Sequence, residues 1–151
     1  MSEFDDCLRG CLVRRDLRAA DRVAVVEDLI AALVAAGALA PECRDAALQA
    51  VLRREATMTT ATADGVAFPH ARIDAAASLV PVIGIHRDGV EFGAPDGART
   101  RVFVLMLVTP PSAGSYLRLL AGFARQLGVP AVRSRLLDAA DEESVRVALR
   151  G

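Results

Sequence analysis

Lysine is absent from this chain of 151 residues, and all 18 of its basic residues are arginines. The arginines are dispersed among 19 carboxylates, so no basic patch indicates nucleic-acid binding. Apolar runs of about 20 residues, which a membrane-spanning helix needs, are also missing. The first ten residues are acidic and lack the basic and apolar regions of a signal peptide. These absences predict a cytoplasmic protein with no nucleic-acid partner and no direct membrane insertion.

Cysteine and histidine are scarce, with three and two residues. The odd number of cysteines argues against a disulfide framework, and Cys7, Cys11 and Cys43 lack the spacing of metal ligands. We expect them to be small, buried, apolar residues. No cysteine lies near His70 or His86 in the sequence, so we expect no metal site. A Gly-x-Ser-x-Gly elbow is absent as well, which excludes that type of serine hydrolase.

Apolar residues make up 53% of the chain. At this length they suit one domain with a single core, residues 1–151. Two amphipathic helices are predicted in the first half. The first follows a short strand, begins after the N-cap residue Asp21 and ends at Gly37. Its predicted inward face is Val23, Val26, Ile30, Leu33 and Val34. The second begins at Pro41, which suits a first helical turn, and ends near residues 53–56. Its predicted apolar stripe is Leu48, Val51 and Leu52.

The middle of the chain reads as strands and turns. Residues 57–64 are small and polar, which predicts a loop, and "GVAF" (65–68) predicts a short strand that leads into Pro69 and His70. The segment "LVPVIGIH" (79–86) predicts a strong strand. "RDGV" (87–90) predicts a turn, because Asp-Gly tolerates the positive φ angles of tight hairpins. A short strand, "VEF", and a second turn, "APDGAR", follow.

The last part of the chain predicts a central strand and three helices. "VFVLMLVT" (102–109) is apolar on both faces, as in a strand covered by helices on each side. A helix begins at residues 112–115, and two short helices follow at 130–138 and 142–149. The predicted inward face of the first of these helices is Leu117, Leu120, Ala121, Ala124 and Leu127. The fold class is therefore α/β: a single-domain sandwich whose mixed parallel and antiparallel sheet has helices on both faces.

The segment "DGVAFPHAR" (64–72) raises the question of function. A lone histidine beside a strand end is commonly a satisfied core or surface residue. A neutral imidazole is also a nucleophile that can carry a phosphoryl group. That chemistry needs a partner for one ring nitrogen, donors for the phosphoryl oxygens and an apolar surface for docking. Small and apolar residues surround His70, and Arg54 and Arg72 are candidate donors.

Residues 53–72, "RREATMTTATADGVAFPHAR", closely resemble the active-site segment of a known family. These are the enzyme IIA domains of the bacterial phosphotransferase system, fructose/mannitol type, which include the nitrogen-regulatory IIA-like proteins. The residues that match the family pattern are Arg54, Glu55, Thr59, Thr60, Gly65, Ala67, Pro69, His70 and Arg72. The resemblance continues through the central strand to the closing helices, over residues 10–150.

The resemblance implies the mixed sheet flanked by helices and a specific chemistry. His70 would accept a phosphoryl group from the phosphocarrier HPr, or from a nitrogen-branch counterpart, with no bound cofactor and no metal. The group would pass to the cysteine of a IIB domain or stay as a regulatory signal. Arg54 would stabilise the phosphoryl charge, the alternative being an exposed arginine at a helix end. Arg72 is either a phosphate contact or a solvated residue, and Thr60 either shapes the loop or bonds the His70 ring.

The sequence departs from the family pattern in two regions. Ala61 and Ala63 replace two glycines, and Asp64 stands where asparagine is usual, so we expect the loop to follow a different path. Asp64 would bring negative charge to the site if it pointed inward. Tyr116 occupies the place of the family's second histidine. The replacement exchanges a charge-assisted hydrogen bond to phosphate for a neutral one. His86 is expected to be a surface residue at a strand end.

Three functions follow from these residues. The leading hypothesis is a phosphoryl carrier, a phosphotransferase component with a phosphohistidine intermediate. The second is a regulatory module whose protein partner changes when His70 is phosphorylated, and Tyr116 favours it. The third is a domain that keeps the IIA fold without phosphoryl transfer. The intact spacing of Arg54, Pro69 and His70 argues against the third.

Overall fold

The computed structural model describes residues 2–75 and 77–150, so Met1 and Gly151, the ends of the predicted domain, lie outside the described residues. The helices in these ranges are α1 (Glu3–Gly10), α2 (Arg22–Ala35), α3 (Arg44–Thr57), α4 (Ala113–Leu127), α5 (Pro130–Asp138) and α6 (Glu142–Arg150). The strands are β1 (Leu12–Arg14), β2 (Val66–Ala67), β3 (His70–Arg72), β4 (Val82–Val90) and β5 (Thr100–Val108). Short 3₁₀ turns at Pro41–Cys43 and Pro110–Ser112 lead into α3 and α4.

The strands form one mixed sheet in the order β1–β4–β5–β2, and β3 also pairs with β5. The central pair, β4 and β5, is antiparallel, whereas β1 runs parallel to β4. Both β2 and β3 run parallel to β5 in one register, with Val66 opposite Val102 and His70 opposite Met106. They are therefore two pieces of one interrupted strand, and the predicted mixed α/β sandwich is confirmed.

The two faces of β5 pack against different groups of helices. Phe103, Leu105 and Leu107 belong to the core cluster that holds the buried residues of α2 and α3. Val102, Val104 and Met106 belong to the cluster that holds the buried residues of α1, α4, α5 and α6. Because consecutive side chains of a strand alternate in direction, this division confirms that 102–109 contains a central strand covered on both sides.

The predicted limits of α2 are confirmed. The Asp21 side chain accepts a hydrogen bond from the Ala24 N–H at 2.9 Å. At the other end Gly37 adopts a φ of +76°, and the N–H groups of Gly37 and Ala38 donate to two carbonyls of the last turn. The predicted inward face was wrong at Val23, which is 44% exposed. Apolar residues surround most of α2, so periodicity alone does not define its rotation. Its buried residues are Val25, Val26, Leu29, Ile30 and Leu33.

The inward face of α4 also differs from the prediction. Leu117 is 63% exposed, and Ala121 and Ala124 are exposed as well. The residues that α4 buries are Leu119, Gly122, Phe123 and Leu127. The cause is α1, a helix that the sequence analysis did not predict, because the Phe4 ring packs edge-on against Phe123 at 4.9 Å between centroids. A Cβ at Gly122 would lie 2.4 Å from the Phe4 ring, so only glycine allows this approach.

The predicted turn at "RDGV" was wrong, because β4 continues through it to Val90 with an irregularity between Ile85 and Val90. The irregularity is built around His86, which is buried rather than on the surface as expected. The Gly89 N–H donates to Nδ1 of His86 at 3.0 Å, and Nε2 of His86 lies 2.9 Å from the Ala19 carbonyl oxygen. The chain instead turns at residues 94–97, the second predicted turn, where the Gly97 N–H donates to the Ala94 carbonyl.

The cysteines are free thiols, with Cys11 buried and Cys7 and Cys43 partly buried. Burial raises the pKa of Cys7 to about 12. Across residues 2–75 and 77–150, no three His, Cys, Asp or Glu side chains come together in a way that could hold a metal ion. None of the helices in that part of the chain has both the length and the apolar character that crossing a bilayer requires.

Candidate functional site

A cleft opens where the parallel strands β3 and β5 end, between the last turns of α3 and the first turn of α4. The carboxyl ends of parallel strands are where α/β folds commonly form their sites. The residues that line the cleft are Ala50, Arg53, Arg54, His70, Ala71, Arg72, Val108 and Tyr116. Four of the five residues singled out from the sequence, His70, Arg54, Arg72 and Tyr116, therefore meet in one place.

His70 is the first residue of β3 and is partly buried. Its Nδ1 atom lies 2.9 Å from the carbonyl oxygen of Phe68. A carbonyl oxygen can only accept, so this contact assigns the ring proton to Nδ1 in the neutral imidazole. The lone pair is then on Nε2, which makes no hydrogen bond to the described residues. His70 thus has the partner for one ring nitrogen that a nucleophilic histidine needs.

The Phe68 carbonyl is free for this contact because Phe68 lies in the gap between β2 and β3. Pro69 has no N–H to donate, while its carbonyl accepts from the Met106 N–H of β5 at 3.1 Å. Phe68 directs its groups away from β5, its N–H to the Thr60 hydroxyl at 3.2 Å and its carbonyl to His70. The interruption between β2 and β3 therefore includes Phe68, the residue whose carbonyl accepts the hydrogen bond from His70.

Thr60, the fifth predicted residue, does not line the cleft. Its hydroxyl donates to one carboxylate oxygen of Glu55 at 2.5 Å, and its N–H donates to the other at 2.8 Å. The hydroxyl also accepts from Phe68, so it bonds the backbone beside His70 rather than the His70 ring.

Among the described residues, three arginines and no carboxylate line the cleft. Arg54 lies in the last turn of α3, where one N–H donates to the Met58 carbonyl at 2.8 Å and leaves its other donors unused by that contact. Arg72 is exposed at the end of β3. Within residues 2–75 and 77–150, neither forms an ion pair. Arg53 is a third cleft residue that the sequence analysis missed, although the doubled arginine of "RRE" was a visible signal. The cleft has the charge to hold an anion.

Tyr116 lies in the first turn of α4, with its ring centroid 5.5 Å from that of His70 and the two planes inclined by 36°. Burial raises the pKa of Tyr116, and the positive charges of Arg54 and Arg72 partly offset that rise. The hydroxyl is consequently protonated at neutral pH and can donate a hydrogen bond into the cleft.

The three residues of the loop that depart from the family pattern lie outside the lining of the cleft. Asp64 does not line the cleft, and its carboxylate lies 3.9 Å from the Arg133 guanidinium of α5. It precedes β2, which pairs with the beginning of β5, whereas His70 lies opposite the end of β5. Neither Ala61 nor Ala63 adopts a positive φ, and Gly65 supplies the one positive φ of this loop, +79°. The two alanines are therefore unstrained.

The fold and the cleft define an α/β sandwich that presents a histidine, among arginines, at the carboxyl end of its sheet. Residues 7–150 match the family "Phosphoenolpyruvate-dependent sugar phosphotransferase system, EIIA 2", and the chain belongs to that family. It is 31% identical over 127 residues to the fructose-specific EIIA component of Haloferax volcanii, covering 84% of this chain and 81% of that protein. It is 24% identical over 133 residues to the fructose-specific EIIABC component of Bacillus subtilis, covering 88% of this chain but only 21% of that protein.

Solved structures share the fold. The nitrogen regulatory protein IIA-Ntr of Neisseria meningitidis has a TM-score of 0.83 at 23% identity, covering 98% of this chain and 99% of that one. Enzyme IIA-mannitol of Escherichia coli, solved in complex with phosphorylated enzyme IIB-mannitol, has a TM-score of 0.76 at 20% identity. That match covers 92% of this chain and 94% of the other. The IIA fold is thus shown over nearly the whole chain.

Proposed function

We propose that this protein is a phosphoryl carrier that accepts its phosphoryl group on Nε2 of His70. The observation that carries the proposal is the bond from Nδ1–H to the Phe68 carbonyl, which leaves the Nε2 lone pair available in a cleft that three arginines line. The donor is an HPr-like phosphocarrier. The acceptor is a IIB domain or a regulatory target, which makes the protein a component of a cytoplasmic transfer chain.

In this reaction the Nε2 lone pair attacks the phosphorus atom that the donor carries. A bond between Nε2 and phosphorus forms as the donor's own bond to phosphorus breaks, and the electron pair of the broken bond leaves with the donor. No proton leaves His70, because its proton is on Nδ1. The positive charge that develops on the ring is shared with Nδ1–H, which already donates to a carbonyl oxygen. The step to the next acceptor reverses these changes, with the sulfur of a IIB cysteine as the nucleophile.

The surrounding side chains act on the phosphoryl oxygens. Arg54, whose planar fork matches two oxygens at once, stabilises the charge that accumulates during transfer. Arg72, which also lines the cleft, is a second donor. The Tyr116 hydroxyl supplies a neutral hydrogen bond where the family pattern has histidine. Such a bond contributes about 1 kcal/mol, against about 1.5–3 kcal/mol for one between charged groups.

A regulatory role is the second candidate, and the chemistry at His70 is the same. Tyr116 favours it, because a weaker contact to the phosphoryl group suits slow exchange better than rapid flux. Two of the exposed large apolar side chains, Met58 and Leu117, follow Arg54 and Tyr116 closely in sequence. A phosphoryl group on His70 adds about −1.5 to −2 charges to the cleft, which is enough to change the partner that docks.

Intact mass after incubation with phosphoenolpyruvate, enzyme I and HPr tests the proposal. We expect one phosphoryl adduct that is labile in acid, stable in alkali and absent from the His70→Ala variant. The sugar-type and the nitrogen-type carrier are tested side by side, and the faster donor distinguishes flux from regulation. No adduct from either donor contradicts the proposal and leaves a IIA fold without transfer chemistry.

A further inference from the structure

Glu55 is a buried carboxylate that the proposed transfer step does not use. It is 2% exposed and has no ion pair within residues 2–75 and 77–150. It accepts hydrogen bonds from the N–H and the hydroxyl of Thr60, at 2.8 and 2.5 Å. Burying a carboxylate away from any cation is costly, and hydrogen bonds to it offset only part of the cost. An acidic side chain buried in such a place calls for an explanation.

The hydrogen bonds of Glu55 continue, one after another, to the candidate nucleophile. The Thr60 hydroxyl donates to Glu55, so its oxygen lone pairs are free to accept, and one accepts from the Phe68 N–H at 3.2 Å. The Phe68 carbonyl in turn accepts from Nδ1 of His70 at 2.9 Å. In each of these three hydrogen bonds the donor lies on the His70 side and the acceptor on the Glu55 side. The carboxylate therefore fixes which way the Thr60 hydroxyl points, and that direction fixes Phe68.

We infer that Glu55, acting through Thr60 and the backbone of Phe68, is a positioning residue that sets the tautomer and orientation of the His70 ring. The direction of the effect, from Glu55 to His70, follows from which groups can donate and which can accept a hydrogen bond. A carboxylate only accepts, so the hydroxyl must donate to it and must accept from Phe68. Pro69 supplies no N–H, so Phe68 depends on Thr60 to hold its place in the strand gap. With Phe68 held, its carbonyl keeps the proton on Nδ1 and the lone pair on Nε2.

His86 provides an internal control. It has the opposite arrangement, because Nδ1 accepts from the Gly89 N–H and Nε2 lies 2.9 Å from the Ala19 carbonyl. The chain has two histidines, so their ring nitrogens give two sets of signals in a nitrogen-15 NMR spectrum. Above about pH 8.5, where an ordinary histidine with a pKa of about 6.5 is neutral, the spectrum reports each tautomer directly. We expect Nδ1–H for His70 and Nε2–H for His86.

The test compares Thr60→Val, which removes the hydroxyl and keeps the shape, with Thr60→Ser, which restores it. In Thr60→Val we expect the His70 signals to move towards a mixture of both tautomers, while the His86 signals stay unchanged. Thr60→Ser should match the wild type. Phosphorylation by the faster of the two HPr-type donors should slow about fivefold in Thr60→Val, as expected when one neutral hydrogen bond no longer holds the Phe68 backbone beside the reacting ring.

Glu55→Gln is the second variant, and it decides the test alone if Thr60→Val does not fold. Glutamine keeps the volume but has one acceptor oxygen where the carboxylate has two, so it no longer accepts from the N–H and the hydroxyl of Thr60 on separate oxygens. We expect the same shift of the His70 tautomer. The inference is overturned if His70 remains in the Nδ1–H form in every folded variant, whatever happens to the rate. It rests on the proposed function for its role in transfer, yet the tautomer is measured without phosphate. A tautomer shift in a protein that accepts no phosphoryl group would support the positioning role and reject the carrier.

Discussion

The His70 and Tyr116 rings lie 5.5 Å apart, with their planes inclined by 36°. His70 comes from β3 and Tyr116 from the first turn of α4, so two separate elements bring these rings together in the cleft. Burial raises the pKa of Tyr116, which keeps its hydroxyl protonated. A phosphoryl group on Nε2 would meet a neutral donor at this position.

Replacing Tyr116 should change the rate of phosphorylation in both directions. Tyr116→His offers a charge-assisted hydrogen bond in place of a neutral one and should raise the rate about threefold or more. Tyr116→Phe removes the hydroxyl and should lower the rate about fivefold, because it loses one neutral hydrogen bond. Single-turnover transfer from HPr measures both. Equal rates in all three proteins would mean that residue 116 does not contact the phosphoryl group.

The two histidines should give opposite results when they are removed. His70→Ala should abolish the phosphoryl adduct with little change in thermal unfolding, because the ring makes one hydrogen bond at an open cleft. His86→Ala should keep the adduct and lose about 1–3 kcal/mol of stability, because the Gly89 N–H and the Ala19 carbonyl lose their partner. Intact mass and urea unfolding on both variants provide the measurements. Unfolding of His70→Ala would instead identify His70 as a core residue.

Phosphoryl transfer should depend on the paired donors of the planar Arg54 guanidinium and not only on its positive charge. Arg54→Lys keeps the positive charge and loses the paired donors, so we expect the transfer rate to fall about tenfold. The matched control is Arg53→Lys, the neighbouring cleft residue on the same helix, with an expected change below about twofold. Quench-flow transfer from HPr compares them. Equal losses in the two variants would show that the cleft needs total charge rather than Arg54 in particular.

The pKa of Cys7 predicts a loss of stability at alkaline pH. Burial raises that pKa from 9.0 to about 12, so the unfolded chain loses the thiol proton before the folded one does. The contribution of Cys7 to stability is present below pH 9 and disappears as the pH rises towards 12. Urea unfolding of the wild type and of Cys7→Ala, at about pH 8 and about pH 10.5, should show a smaller loss in the variant.

Cys11 and Tyr116 also have raised pKa values and act in the same direction, so the difference between the two proteins isolates Cys7. Iodoacetamide labelling at neutral pH gives an independent check. Cys7 should react far more slowly in the folded protein than in urea. Equally fast labelling in both states would contradict the burial of the thiol.

Some elements could be predicted because their signals are local. The N-cap Asp21, the stop at Gly37 and the doubly apolar strand before Pro110 each determine their own conformation. The faces of α2 and α4 were predicted wrongly for different reasons. Apolar residues surround most of α2, so its sequence does not define its rotation, and a partner far away in sequence sets the rotation of α4. For α4 the partner is Phe4 in α1, an eight-residue helix that the sequence analysis did not identify although Ser2 caps it and its first turn is acidic.

The candidate site also has features that the sequence predicted and features that it did not. The spacing of Arg54, His70 and Tyr116, taken with the family resemblance, placed them together, and the structure brings them to one cleft. The role of Glu55 had no sequence signal beyond its place in the pattern, because it depends on a loop folding back so that Thr60 reaches Phe68. The burial of His86 was missed since a turn was expected directly after it, whereas the strand continues.

The gap between β2 and β3 has a mechanical consequence. Both flanks of the two-residue gap are fixed to the same rigid strand in the same register, and Thr60 fixes the gap from the outer side. A segment held at both ends and from the side has little room to change shape when a charge is added to the next residue. If phosphorylation of His70 is a regulatory signal, a partner would therefore recognise a change of charge on a surface whose backbone conformation is unchanged. The same backbone conformation would then suit both phosphoryl transfer and regulation.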